Sequence, residues 1–333
     1  MLYGPKRFGY FLTLLCLAQA VLLSASSIPS TSLQPAGTAL AAGRADEAIS
    51  LLHSSLATNP EDAEAHNLLC QVYYQEERWD DAIRECETAV QLEPMKAEYH
   101  LWLGRAYGEK ADQIHSIKAY GLAKKVRDEF QRAVELDAKD VDALSDLGEF
   151  YTAAPGIVGG GKKKAQSVAQ TLESYGAAQG HQLKGRLAEK DKNYALAESE
   201  FKQAVEASND SADAWMALAS YYSRRHQLEE MSAALQSGIE ADAKSAKPHG
   251  PALVEAASLL NRNNLNPQLV IQLWKEYLAS PNKSADSPAF RVHADLAHLL
   301  EQQGDHEGAR QQLEEAASLA REYHPASFDK VSR

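Results

Sequence analysis

The stretch APGIVGGGKKKA, at residues 154–165, contains the residues of this chain that come nearest to a nucleotide-binding motif. Gly156, Gly161 and Lys162 reproduce the G-x-x-x-x-G-K core, but Lys163 stands where a Ser or Thr would bind the magnesium ion. Such a loop must also follow a buried strand, whereas the preceding VDALSDLGEFYTAA has the apolar spacing of a helix. The sequence therefore favours a bend between two helices, in which Pro155 ends the first helix and the glycines permit positive φ.

A second interpretation of the same stretch stays open, namely a site for an anion or a nucleotide. A glycine-rich turn at the start of a helix exposes backbone N–H groups, which attract negative charge. Lys162, Lys163 and Lys164 lie at that helix start, where their charge opposes the helix dipole and adds nothing to helix stability. An anion-binding protein is therefore the alternative to a simple bend.

The composition limits the classes of fold and function. The 333 residues carry a formal net charge of −12, so no overall positive field attracts nucleic acid, and we expect no nucleic-acid partner. Apolar residues make up 44% of the chain, which is ordinary for a folded protein. Ala, Leu, Glu, Gln and Lys dominate the middle of the chain, and no stretch alternates as a strand does, which together predict helices.

Residues 1–26 predict a signal peptide or an N-terminal membrane anchor. Lys6 and Arg7 precede an apolar run at residues 8–23, and Ala18 and Ala20 fit the small-x-small rule for cleavage. The run is shorter than the ~20 residues that a membrane-spanning helix needs. In both cases we expect the rest of the chain to be exported, to a periplasmic or extracellular location. A membrane is a predicted partner only if this segment stays uncleaved.

A period of 34 residues runs through the chain. The residue pairs that recur at this step include His66 and His100, Leu69 and Leu103, Tyr73 and Tyr107, and Pro60 and Pro94. An aromatic slot followed by Leu and Tyr, a later Ala and a trailing Pro is typical of paired helices that repeat. One such hairpin cannot bury its apolar faces alone, whereas stacked neighbours can.

These residues resemble the tetratricopeptide-repeat family over residues 30–324. The resemblance implies an all-α fold, a right-handed α-solenoid of about eight helix hairpins, and a non-enzymatic scaffold or adaptor that binds other proteins. The chain as a whole is similar to exported bacterial members of this family that have no assigned role. The eight predicted repeats span residues 30–62, 63–96, 97–140, 141–177, 178–211, 212–245, 246–288 and 289–323, and a tail follows at 325–333.

Two insertions break the period, and both fall between the paired helices of one repeat. The third repeat has about ten extra residues near YGEKADQIHSIKAYGLAKK, and the fourth has about three in the glycine-lysine stretch. Turns inside successive hairpins lie along one edge of such an array, so we expect two long basic turns side by side. This basic edge is a predicted surface for an acidic or anionic partner, although a solvated basic surface stays open. Its residues are Lys110, Lys118, Lys124, Lys125, Lys162, Lys163 and Lys164.

The groove lined by the first helix of each hairpin is the surface that the family resemblance implies for partner binding. The predicted groove residues are Asn67, Gln71, Tyr74, Leu101, Arg105, Glu149, Arg186, Met216 and Arg224. Tyr74, Leu101 and Met216 are the predicted apolar anchors of an otherwise polar surface. The Lys/Asn/Arg clamp of family members that grip chaperone tails is missing, so we expect an extended peptide or a helix of another protein as the partner.

The histidines offer no clear metal site. Those at the aromatic slot, which Trp215 occupies in one hairpin, are His66, His100, His181, His249 and His293. Their recurrence indicates a packing role on different hairpins. No H-E-x-x-H motif is present, and we expect no metal.

Cys70 and Cys86 lie at helix-contact positions of one repeat, and two interpretations stay open. They are two buried thiols, or they form a disulfide if the compartment is oxidising. A bridge requires Cα atoms within about 7 Å. No group of residues suggests catalysis, so we expect neither an enzyme nor a cofactor.

Overall fold

The computed structural model describes residues 32–114 and 117–324, so the predicted leader at 1–26 and tail at 325–333 lie outside the described residues. From Leu33 onward the chain forms one compact unit, in which α-helices alternate with short connections. The described residues contain sixteen α-helices and no β-strand. They are α1 (Gln34–Ala41), α2 (Ala45–Thr58), α3 (Ala63–Gln75), α4 (Trp79–Leu92), α5 (Ala97–Gln113), α6 (Ile117–Leu136), α7 (Val141–Ala153), α8 (Lys162–Tyr175), α9 (Ala177–Lys190), α10 (Tyr194–Ala207), α11 (Ala212–Arg224), α12 (Leu228–Lys244), α13 (Pro251–Arg262), α14 (Pro267–Ala279), α15 (Ala289–Gln302) and α16 (His306–Leu319).

Consecutive helices pack in pairs, from α1 with α2 to α15 with α16, and each pair lies against the next. Each of the eight predicted repeats contains one such pair. The prediction of an all-α solenoid built from tetratricopeptide-type hairpins is therefore confirmed. None of these helices is both long and apolar enough to span a membrane in the part of the chain that the structure describes.

Small residues allow the helices to approach closely. Gly104 of α5 receives the ring of Phe130 from α6, and Gly185 of α9 receives the ring of Phe201 from α10. A Cβ atom at either glycine would crowd that ring. Ala82, on the second helix of the second repeat, is fully buried. The recurring pairs of small and large residues thus allow each helix to pack closely against the next.

The insertion in the third repeat lengthens both of its helices. α5 has 17 residues and α6 has 20, whereas the two helices of the second repeat have 13 and 14. Lys110 lies within α5, and Lys118, Lys124 and Lys125 lie within α6. The expectation of a long basic turn here is wrong, because the Ala, Lys, Glu and Leu residues of the insertion are good helix formers that continue the helices.

The insertion in the fourth repeat forms a turn between α7 and α8. The chain passes Pro155 in an extended conformation, makes a 3₁₀ turn at Gly156–Val158 and enters α8 at Lys162. Gly159 has φ 103°, in the region that glycine tolerates best. The segment before the glycines is a helix, so the predicted bend between two helices is confirmed.

The last repeat packs against the first two, so the array closes on itself. Gln75 Nε2 donates to the carbonyl oxygen of Ala285 at 2.7 Å, and Arg291 Nη2 donates to the carbonyl oxygen of Gln75 at 2.8 Å. Phe290 is fully buried in the core cluster of the first repeats, and its ring meets that of Tyr323 edge-on. Repeats in a simple solenoid contact only their neighbours. We call the contact of the first two repeats with the last repeat and with the α14–α15 connection before it the closing seam.

Candidate functional site

Side-chain pairs join the first helices of successive repeats along the inner face, which is the surface formed by α3, α5, α7, α9 and α11. The pairs are Tyr74 with Glu109 (3.2 Å), Arg105 with Asp146 (2.6 Å), Arg186 with Glu149 (3.2 Å) and Arg224 with Glu189 (2.9 Å). Each pair links one first helix to the next. Five of the predicted groove residues, Tyr74, Arg105, Glu149, Arg186 and Arg224, therefore belong to one ladder of contacts.

Burial shifts the pKa values of two groups at the start of this ladder, Asp146 and Tyr74. It raises the pKa of Asp146, although the Arg105 guanidinium lies beside that carboxylate and opposes the rise. Burial, together with the Glu109 carboxylate, also raises the pKa of Tyr74 above its usual range. The Tyr74 hydroxyl therefore remains a hydrogen-bond donor at physiological pH.

Aromatic contacts fix Tyr74 in its position. Its ring meets Trp79 edge-on at 5.2 Å between centroids and Trp102 at 5.6 Å. The Arg105 guanidinium lies 4.9 Å from the centroid of the Trp102 ring, within cation–π range. Tyr74 is thus part of a rigid aromatic patch on the inner face.

Four predicted groove residues lie in helix contacts beneath the inner face. Leu101 and Met216 are only 4% and 0% exposed, and Asn67 and Gln71 are also buried. The Asn67 amide donates to Glu98, in the first helix of the next repeat, at 3.2 Å. Asn67, Leu101 and Met216 each directly follow the residue at the aromatic slot. Their side chains point into the packed interior. The expectation that Leu101 and Met216 are accessible apolar anchors is therefore corrected.

Contacts within the chain occupy the backbone of the glycine-lysine turn. The donor and acceptor pairs are Gly159 N–H with Gly156 O, Gly160 N–H with Pro155 O, and Gly161 N–H with Tyr151 O, at 3.0, 3.2 and 2.9 Å. Arg127, from α6, donates to the carbonyl oxygen of Val158 at 3.2 Å. These glycine N–H groups do not point to a phosphate, and α7 stands where a nucleotide-binding loop requires a strand.

Several lysines of the predicted basic edge have partners. The ion pairs are Lys110 with Asp80 at 2.9 Å, Lys125 with Glu87 at 3.6 Å, and Lys162 with Asp191 at 2.5 Å. Lys164 donates to the carbonyl oxygen of Gly159, and its ammonium lies over the Tyr151 ring. Lys118, Lys124 and Lys163 are exposed. The edge therefore offers less uncompensated positive charge than its seven lysines suggest.

A cavity of about 600 Å³ opens at the inner face between the third and fourth repeats. Its apolar wall comes from Val126 and Phe130 of α6, Phe150 of α7 and Val158 of the turn. Its polar lining consists of Tyr74, Arg105, Glu109, Asp112, Asp146 and Glu149. The structure thus brings three predicted groove residues, Tyr74, Arg105 and Glu149, to the same cavity as the turn of the fourth repeat.

The sequence analysis missed the apolar wall of this cavity. Ala123, Val126 and Phe130 recur at i, i+3 and i+7 within α6, which is the spacing of one helix face. That spacing could have identified the wall. The predicted groove included only the first helix of each hairpin and therefore left out this face of α6.

Cys70 and Cys86 form a disulfide between α3 and α4, with their Cα atoms 5.2 Å apart. Both residues are fully buried. The sequence allowed either two buried thiols or a disulfide, and the structure contains the disulfide.

Four of the five slot histidines, His66, His100, His181 and His293, form hydrogen bonds between the paired helices in addition to their packing. The Nδ1 atom of His66 lies 2.7 Å from Glu85, and that of His100 lies 2.6 Å from Glu129. The second ring nitrogen of His100 lies 3.0 Å from the carbonyl oxygen of Pro94. No group of three His, Cys, Asp or Glu side chains is placed to hold a metal ion within residues 32–114 and 117–324.

Family models for the tetratricopeptide repeat match this chain at residues 39–106, 178–211 and 290–323. A curated relative, human Superkiller complex protein 3, is 23% identical over 246 residues. The match covers 70% of this chain and 15% of the relative, so the chain spans a small part of that protein.

Two solved structures are among those similar to this chain. Yeast Tom70 is 18% identical with a TM-score of 0.53, over 86% of this chain and 58% of that one. A tetratricopeptide protein of Thermus thermophilus is 21% identical with a TM-score of 0.45, over 69% of this chain and 97% of that one. The family matches, taken with the eight stacked hairpins, show that the chain belongs to the tetratricopeptide-repeat family, whose general role is to bind other proteins.

Proposed function

We propose that this chain is an exported scaffold that holds another protein on the inner face of its closed array. The observation that carries the proposal is the convergence of both insertions on one inner-face cavity, between the third and fourth repeats. Segments that depart from a repeating framework are frequent sites of function. The name of the human relative, a complex protein, is consistent with a role in assembly.

The disulfide between Cys70 and Cys86 supports export. Disulfides persist in oxidising compartments and are rare where thiol reductants are abundant. Together with the leader pattern in residues 1–26, the disulfide favours a periplasmic or extracellular location. N-terminal sequencing of the protein from its cells separates a cleaved signal peptide from an anchor, which would make the chain a membrane-tethered assembly factor. Free thiols in protein that is alkylated during lysis would contradict export.

The basic edge and the anion site are weaker alternatives. Three lysines of the edge already form ion pairs, and the glycine N–H groups of the turn donate within the chain. An acidic partner would still meet the exposed Lys163. Replacing Lys162, Lys163 and Lys164 by Gln tests this alternative directly, since unchanged binding of an identified partner removes it.

Chemical crosslinking and pull-down from the exporting cell, followed by mass spectrometry, test the proposed function. Lys190 donates to the carbonyl oxygen of Thr152 and so marks the inner face between α7 and α9. Lys202 is exposed on α10, a second helix, and serves as the comparison. A reproducible protein partner crosslinked near Lys190 supports the proposal. The absence of any partner, or crosslinks confined to Lys202, would contradict it.

A further inference from the structure

The cavity between the third and fourth repeats is a product of the two insertions. Asp112 and Ala123 lie in the inserted stretch of the third repeat, residues 107–125, and Val158 lies in the turn that follows α7. Arg127, which follows the inserted stretch in α6, donates to the carbonyl oxygen of Val158 at 3.2 Å and joins α6 to the turn of the fourth repeat. A repeat of standard length has neither segment, so this cavity is a feature of this chain and not of the 34-residue framework.

Its dimensions suit the side chains of a peptide. About 600 Å³ lies within the range of small-ligand sites, and the wall formed by Val126, Phe130, Phe150 and Val158 is apolar. Ile157, next to Val158 in the sequence, is 76% exposed, so the turn that lines the cavity also presents an apolar side chain to solvent.

The charged residues that line the cavity determine which kind of peptide it can bind. Arg105 pairs with Asp146, and Glu149 pairs with Arg186, so these four charges compensate one another. The remaining acidic groups of the lining are Glu109 and Asp112, both exposed. Among the contacts described above, Glu109 accepts one hydrogen bond, which comes from the neutral hydroxyl of Tyr74.

We propose that this cavity binds an extended segment of a partner protein in which a bulky apolar side chain lies next to a Lys or Arg. The apolar side chain enters between α6 and the turn, and the cation meets Glu109 and Asp112. Uncompensated carboxylates attract such a cation and disfavour phosphates and acidic peptides. The inference rests on the proposed function and names the partner's chemistry at that surface.

A random peptide library displayed on phage and selected on the full-length chain tests this specificity. Selected peptides are expected to combine a bulky apolar residue with an adjacent Lys or Arg. Acidic peptides, peptides with no such pair, or a failure to select any peptide would overturn the proposal.

Substitutions then locate the binding of a selected, fluorescein-labelled peptide. Ala153 is exposed and lines the cavity, so Ala153→Phe fills the cavity without entering the core. We expect about tenfold weaker binding by fluorescence anisotropy. Ala195→Phe, at an exposed position of α10, is the matched control and should bind as the parent chain does. Equal affinities for the two variants would overturn the cavity assignment.

Charge reversal tests the cationic half of the inference. Asp112→Lys should weaken binding of the selected peptide about tenfold, and more so at low salt. Glu61→Lys, at an exposed turn outside the cavity, should have no effect. If a protein partner is still captured by a chain with Ala153→Phe and Asp112→Lys, the scaffold role stands and the cavity assignment fails. If the unaltered chain captures no protein, the proposed function itself fails.

Discussion

Arg291, in the first helix of the last repeat, donates to the backbone carbonyl oxygen of Gln75 at 2.8 Å, across 216 residues of sequence. The side chain of Gln75 donates a hydrogen bond to the carbonyl oxygen of Ala285. These bonds form the closing seam and limit how far the inner face can widen. Not every polar atom there is satisfied, because Gln75 Oε1, Glu76 Oε1 and Arg291 Nε have no hydrogen-bond partner among the described residues. Such a seam is less stable than a fully paired contact of the same size.

Gly43→Ala should open the closing seam. Gly43 has φ 68°, and a Cβ atom there would overlap the backbone nitrogen of Ala289. We expect faster hydrogen exchange in α1 and α15 and a larger radius of gyration by small-angle X-ray scattering. Gly304→Ala is the matched control, because Gly304 also has positive φ (82°) but faces open space. That control should lose only about 1 kcal/mol of stability. Identical exchange in both variants would show that α1 and α15 do not depend on each other.

Glu76→Gln should remove part of the pH dependence of stability. Glu76 is 3% exposed, and burial raises its pKa to about 7, although Arg78 opposes the rise. Since the pKa of this carboxyl is higher in the folded state than its ordinary value of 4.5, its contribution to stability is complete below that value. The contribution is lost as the pH rises through about 7. Burial raises the pKa of Asp295, near Arg291, to about 6, which acts in the same direction.

The parent chain should therefore lose roughly 1–3 kcal/mol of stability from Glu76 between acidic and mildly alkaline pH. Urea unfolding at several pH values measures this loss, and Glu76→Gln should show a flatter profile. Glu61→Gln, at an exposed turn away from the closing seam, should retain the parent profile. A loss of the same size in the parent and in Glu76→Gln would contradict the assignment.

Reduction of the Cys70–Cys86 disulfide should destabilise the chain by about 3 kcal/mol, because the bond closes a short loop in the unfolded state. Guanidinium unfolding with and without reductant measures the loss. A Cys70→Ala, Cys86→Ala variant should have the same midpoint in both conditions. An unchanged midpoint for the parent chain, with complete alkylation of its thiols after reduction, would disprove a stabilising role.

Gln312→Glu should raise the pKa of His293, because a carboxylate in contact with the ring favours the protonated imidazole. Burial lowers the pKa of His293, and its Nδ1 atom meets the neutral Gln312 at 2.8 Å. Burial also lowers the pKa of His100, but the bonds to Glu129 and to the carbonyl oxygen of Pro94 outweigh burial, and the net shift is upward. Titration by ¹H–¹⁵N NMR measures the change. Gln311→Glu, one residue away and exposed, serves as the control, and an equal shift there would mean that the contact is not responsible.

The hairpins could be predicted because each repeat is specified locally. Leu69 and Tyr73 lie four residues apart and pack on one helix face, and the same spacing returns in Leu103 and Tyr107. The closing seam could not be predicted in this way. It depends on the summed rotation of eight repeats, and no residue near Gln75 identifies Arg291 as its partner.

The candidate site was predicted in part. Arg105 and Glu149 lie at the cavity as the groove assignment expected, whereas Leu101 and Met216 are buried. Leu101 and Met216 occupy the same position in their repeats, directly after the aromatic slot. The side chain at this position faces a neighbouring helix, so both residues are buried. A second error omitted the wall formed by Val126 and Phe130, because the predicted groove included only the first helix of each hairpin, whereas both residues lie on the second helix α6.

Site-specific photocrosslinking in the exporting cell tests the account most directly. A photoreactive residue is placed at Ala153 in the cavity, at Lys163 on the basic edge, or at Gln203 on the second helix of the fifth repeat, all three exposed positions. Crosslinking of a partner protein at Ala153, with little at the other two positions, is the predicted result. Crosslinking at Lys163 or Gln203 alone would contradict the assignment of the inner-face cavity as the binding surface.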